Sequence, residues 1–131
     1  MALSQTTVPA NPVPPVPFWG MGIYTRTDDG TLSGVWNNNG TVTGSGLHEE
    51  IARKSDQQPL NLIGMYNVSW IEGDASVHSG TLEIVQGINM TSIWTWRNDR
   101  GVIVFNGAGI QIGINRYAIL YWDDTGISFP V

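Results

Sequence analysis

The chain contains no cysteine, two histidines, and only six lysine and arginine residues among 131. The first absence excludes disulfides, thiolate metal sites and thiol nucleophiles. The shortage of cations argues against nucleic acid as a partner, because neutralising a phosphate backbone requires a basic face. A net charge of −5 and an isoelectric point near 4.6 point the same way. Charged residues make up 13% of the chain, about half of what globular domains usually carry, so Ser, Thr, Asn, Gln and Gly must cover much of the surface. No apolar run approaches the ~20 residues of a spanning helix, and no membrane partner is expected. The opening stretch Met1–Pro9 has neither a basic nor an apolar leader region, which reads as a cytoplasmic protein. A sustained helical periodicity is lacking too, which sets aside helices packed on a parallel sheet.

What is present favours strands. Hydrophobic residues make up 41% of the chain, with 16 glycines and six tryptophans, and β-branched and aromatic residues suit a pleated, half-buried surface. Residues 1–17 hold five of the seven prolines and no charge, the pattern of an extended arm. Pro12 and Pro15 have the spacing of a proline-rich docking motif, without its usual basic residue. Residues 18–131 read as one antiparallel β domain. Apolar residues there recur with a period close to two, and turn residues interrupt them about every ten positions.

Eight strands are predicted: Trp19–Thr27, Thr31–Asn38, a third from Thr41, Leu60–Ile71, Ala75–Gln86, Met90–Arg97, Val102–Ile112 and Ile114–Trp122. Asp29-Gly30 and Asn39-Gly40 between the first three are strong hairpin signals. Gly44 and Gly46 suit a bend in the third strand. His48–Lys54 reads either as the tail of that strand or as one helical turn. Such a meander hides its edges with least chain by closing on itself. The expected fold is therefore all-β, a single antiparallel up-and-down β-barrel of about eight strands.

Alternation assigns the faces. Leu32, Gly34 and Trp36 share one side of the second strand, and Leu62, Gly64, Tyr66, Val68 and Trp70 one side of the fourth. Met90, Trp94 and Trp96 group together in the sixth, and Tyr117, Ile119 and Tyr121 in the eighth. An eight-stranded barrel holds either packed side chains or one small ligand. The same rows would serve a solid aromatic core, but six tryptophans exceed what filling alone requires, since Leu, Ile and Val fill space without a polar atom to satisfy. The expected site is a cavity for one small apolar or planar molecule, lined by Trp36, Tyr66, Trp70, Trp94, Trp96, Tyr117 and Tyr121.

Short stretches carry a resemblance. Leu32-Ser-Gly-Val-Trp36-Asn-Asn-Asn-Gly40 is similar to the opening strand of avidin-type barrels, and Val68-Ser-Trp70, Val77–Gly80 and Ser92-Ile-Trp94 resemble that family's later tryptophan strands. The wider pattern of strands resembles calycin-like barrels. The resemblance, spanning roughly residues 32–122, implies a tryptophan-lined barrel with ligand contacts from Trp36, Trp70 and Trp94 and a polar contact from Asn37. One strand precedes the matching stretch and no carboxylate-binding loop is recognisable, so biotin is not implied.

No reaction motif is present. His48 and Glu50 lie two apart on one strand face and are the acid–base candidates if the protein is an enzyme, although a solvated rim is the simpler expectation for both. His78, sharing a face with Leu82 and Ile84, is expected to be partly buried. Arg97 and Arg116 lie near strand ends, where an arginine can anchor a ligand or face solvent. Glu72, Asp74, Asp99, Asp123 and Asp124 are accounted for as turn residues. No ligand spacing supports a metal, and no cofactor is expected. Two other functions fit the pattern: a cyclase or isomerase folding a hydrophobic substrate by shape with acid–base help, and a regulatory interaction module. Self-association through the low-charge barrel walls is a further expectation.

Overall fold

The computed structural model describes residues 17–40, 47–55, 61–72 and 75–124. Eight strands run in chain order: β1 (Gly20–Arg26), β2 (Thr31–Asn38), β3 (His48–Lys54), β4 (Gly64–Ile71), β5 (Val77–Gln86), β6 (Ser92–Asn98), β7 (Ile103–Gly113) and β8 (Arg116–Asp123). Each pairs antiparallel with the next, and β8 pairs back onto β1, closing an up-and-down barrel consistent with a calycin-like fold. No helix occurs among the described residues.

The alternation read from sequence holds along the strands, and β3 and the interior of β7 add to it. His48–Lys54 is a strand with alternating burial, not a helical turn. Its inward row is His48, Glu50 and Ala52, so both acid–base candidates lie inside the wall rather than on a solvated rim. Met90 departs from its expected row. It is 89% exposed and sits beside Asn89 in the β5–β6 turn, where both residues have positive φ, 53° and 64°, and Thr91 N donates to the Ile88 carbonyl at 3.0 Å. Ser92 takes the inward place instead, because the indole of the fully buried Trp94 needs an acceptor and finds the Ser92 hydroxyl at 2.8 Å. His78 is exposed; it stacks on Trp70 and bonds the Ser76 hydroxyl at 2.9 Å. Residues 1–16, which hold most of the expected arm, 41–46 with Gly44 and Gly46, 56–60, 73–74 with Asp74, and 125–131 lie outside the described residues.

Methionine in the left-handed region costs about 1 kcal/mol relative to glycine. Met90→Gly is therefore expected to raise stability by about 0.5–1 kcal/mol in urea unfolding, and a loss of stability would contradict the turn geometry.

Glycine opposite large rings is what lets so narrow a barrel hold so many aromatics. Gly20, Gly22, Gly34, Gly107 and Gly109 all face inward. The register shows one arrangement used twice. Tyr24 on β1 faces Gly34 on β2, which faces Glu50 on β3; Tyr121 on β8 faces Gly20 on β1, which faces Asn38 on β2. In each case a tyrosine ring lies over the glycine, where a Cβ would overlap it, and its hydroxyl reaches a polar group two strands away, about 10 Å along the sheet. Tyr24 Oη donates to Glu50 Oε1 at 2.9 Å, and Tyr121 Oη accepts from Asn38 Nδ2 at 3.2 Å.

On the outside, Val85, Ile93, Ala108, Leu120 and Met21 pair across β5, β6, β7, β8 and β1, giving an uncharged apolar row on that wall.

Candidate functional site

The two ends of the barrel differ. Toward the end where β2 finishes and β3 begins, the inward residues are Trp36, Glu50, Trp70, Trp96, Phe105 and Tyr121, joined by Tyr24 and by Glu72 just past β4. They surround a pocket of about 300 Å3, counted to the atoms and out to its open side. The part wide enough for a water molecule is about 20 Å3, room for one or so. The opposite half of the barrel is filled by Leu32, Tyr66, Leu82, Ile84, Trp94 and Ile119, each 2% exposed or less. Among the described residues the interior is thus no deep cup; it offers a small pocket at this mouth.

The walls of that pocket are rings set nearly at right angles. Trp36 meets Tyr121 at 83°, Tyr121 meets Phe105 at 78°, and Phe105 meets Trp70 at 70°, with centroids 6.3, 5.5 and 6.4 Å apart. Edge-to-face pairs contribute about 0.5–1.5 kcal/mol each beyond the area they bury, so the arrangement is held without a ligand. Trp96 lies below, 6.0 Å from Tyr121. Phe18, just before β1, packs on Phe105 and Tyr121 at the mouth. It is brought there by Asn39, whose side chain accepts from Trp19 N and donates to the Pro17 carbonyl, both at 2.9 Å. The hairpin turn residue therefore ties the incoming chain to the mouth.

Glu50 is the chemical centre. It is 6% exposed. One carboxylate oxygen accepts from Tyr24 Oη and the other from Trp96 Nε1, both at 2.9 Å. Burial pushes its pKa up to about 7 against the pull of those two donors, because the low-dielectric interior penalises the charge more than two hydrogen bonds stabilise it. The same burial, and then the charge of Glu50, holds the Tyr24 hydroxyl well above its ordinary value; burial raises Tyr121 also. Glu72 is at the rim, accepting from Trp70 Nε1 at 2.7 Å. Two buried polar atoms, Trp36 Nε1 and His48 Nε2, have no hydrogen-bond partner; their residues are 6% and 8% exposed, with rings 4.7 Å apart.

Of the residues picked out in the sequence, Trp36, Glu50, Trp70, Trp96 and Tyr121 converge on this mouth. Tyr66, Trp94 and Tyr117 are buried without lining it. His48 is inside but does not bond Glu50, whose oxygens are held by Tyr24 and Trp96. Arg97 pairs with Glu83 at 3.2 Å and Arg116 is exposed on the far rim. Glu72 lines the pocket and is more than a turn residue. Tyr24 and Phe105 were not among the expected lining residues. The signal for Tyr24 was available, since Gly20, Gly22 and Tyr24 alternate on β1 as the tryptophan rows do. No group of histidine and acidic side chains suited to a metal is found among the described residues.

The chain matches no known protein-family model, no curated protein and no solved structure.

Proposed function

We propose that the protein binds a small molecule at this mouth, inserting a planar or compact apolar part between the rings of Trp36, Tyr121, Phe105 and Trp70. The observation that carries this reading is a set of perpendicular aromatic walls above a buried carboxyl group, with an unpartnered indole N–H in one wall. A core built only for stability leaves few buried donors unsatisfied, because an orphaned group costs about 1–3 kcal/mol. Aromatic walls with a few oriented polar groups are the usual make-up of ligand sites. The avidin-type resemblance of the tryptophan strands supports the same place, since Trp36 and Trp70 belong to it.

The test is titration with small neutral aromatics, naphthol and coumarin among them, followed by the nitrogen–proton signals of the indoles. Saturable shifts are expected for Trp36, Trp70 and Trp96, with Trp19 and Trp122 unmoved. Trp70→Ala should weaken binding at least tenfold, equivalent to about 1.4 kcal/mol. Shifts confined to Trp19 and Trp122 would place the ligand on the outer surface and end this reading.

A second reading rests on Glu50 alone. A buried carboxyl with a pKa of about 7 is poised to give and take a proton near neutrality, as an isomerisation or cyclisation of a hydrophobic substrate requires. In that case turnover is lost in Glu50→Gln while the indole shifts on binding persist.

A further inference from the structure

We propose that the ligand of this mouth is a small organic ammonium ion that also carries a hydroxyl or carbonyl oxygen. This rests on the binding reading above and specifies its chemistry.

Two features of the pocket favour positive charge. Its walls are the faces and edges of six aromatic side chains, and the negative face of an aromatic ring attracts an ammonium group within about 6 Å. Both ionisable carboxyl groups of the lining, Glu50 at the floor and Glu72 at the rim, are acids, and no lysine or arginine lines the pocket. Each carboxylate is oriented by an indole N–H, from Trp96 and Trp70 respectively. Those bonds leave further lone pairs on both groups.

The whole barrel is polarised in the same sense. Around the pocket mouth the described charges are Glu49, Glu72, Asp99, Asp123 and Asp124, against Arg100 and against Arg97, which is paired with Glu83. The opposite rim carries Arg26, Arg53, Lys54 and Arg116, against Asp28 and Asp29. The separation follows from strand order, with Arg97 and Arg100 at the end of β6 as the exceptions at the pocket mouth. A cation approaching the molecule is drawn toward the mouth that holds the rings. An anion is turned away from it. The Trp36 N–H is buried beside His48 without an acceptor in the folded chain; on binding, a small turn of the ring brings it to an oxygen on the ligand.

The free space limits the size. About 20 Å3 is open to a water molecule within an envelope of about 300 Å3 that runs out to the open side, so a compact head group enters only as the rings at the mouth move apart, and a long chain is excluded. Substituted ammonium groups are compact and weakly hydrated compared with a primary ammonium, which makes their transfer between rings easier.

The experiment compares choline with dimethylbutanol, its uncharged analogue in which carbon replaces nitrogen. Both are titrated into the full chain, with heat and indole signals as readouts, and naphthol is run alongside. Choline is expected to bind at least tenfold more tightly than dimethylbutanol. Glu50→Gln should remove that preference by weakening choline at least tenfold while leaving dimethylbutanol unchanged. Glu72→Gln, at the half-buried rim where the glutamine carbonyl can still accept from Trp70 Nε1, should reduce it at least threefold. Equal affinities for the two compounds, or binding of naphthol with neither of them, overturn the cation assignment and leave the pocket reading standing. Flat titrations with all three, in a chain that gives folded indole signals, overturn the pocket reading as well.

Discussion

Stability is expected to fall by about 3 kcal/mol as the pH rises from about 4.5 to about 7, and Glu50→Gln is expected to abolish that fall. In the unfolded chain Glu50 titrates at its ordinary value of 4.5; in the barrel burial raises it to about 7. Between these values the folded state holds a proton that the unfolded chain has released. Its stabilising effect is therefore complete below 4.5 and is lost as the pH climbs through the folded value. Asp29 acts in the opposite sense and in a different window. Its carboxyl is held below its ordinary value by bonds from Thr27 and Thr31, so its contribution is present above 3.8 and disappears as the pH drops. The tyrosines enter only above pH 10.

Glutamine can replace the neutral acid without orphaning either neighbour. Its carbonyl accepts from Trp96 Nε1, which can only donate, and its amide donates to the Tyr24 hydroxyl, which can do both. The variant should match the parent near pH 4.5 and exceed it by about 3 kcal/mol above pH 7 in urea unfolding. Parallel pH profiles for the two proteins would show that Glu50 ionises in the barrel without hindrance. The gain would come with loss of the proposed ligand, a trade common where a site holds an unfavourable charge.

Gly34→Val is expected to destabilise the barrel by about 3 kcal/mol or more, since an overpacked core has few ways to relax. A side chain at Gly34 would occupy the space of the Tyr24 ring. Tyr24 is 1% exposed and lies 5.0 Å from the Trp94 ring, so it has nowhere to go. Displacing it also breaks its bond to Glu50, leaving a buried carboxyl with one donor in place of two. The measurement is the urea midpoint together with the near-ultraviolet dichroism of the aromatic core. A stable, native-like Gly34→Val protein would mean that Tyr24 does not lie across β2. The exposed outward neighbour supplies the control: Ser33→Val should change stability by less than about 0.5 kcal/mol.

Much of the barrel was legible because a strand has a period of two. Leu32, Gly34 and Trp36, or Tyr117, Ile119 and Tyr121, declare one face whatever surrounds them. Turn chemistry at Asp29-Gly30 and Asn39-Gly40 then sets where strands stop. The same rule misled at Met90, because alternation was extended one step past the strand into a turn; asparagine at 89 suits a positive φ, but no residue preference announced one at Met90. It was insufficient at His48 and Glu50. Alternation placed them on one face, but the cost of burying charge assigned that face to solvent.

The amino-acid sequence by itself determined the number of strands, their antiparallel order and which aromatic residues share the interior, since these follow from local periodicity and turns. Tertiary structure decided that Glu50 is buried, that half the interior is solid and that one mouth gathers rings and acids while the other gathers cations. The reason is distance along the chain. Glu50 is tolerated inside only because Tyr24 and Trp96, 26 and 46 residues away, bring it two donors, the first reaching across β2 and the second across the interior of the closed barrel.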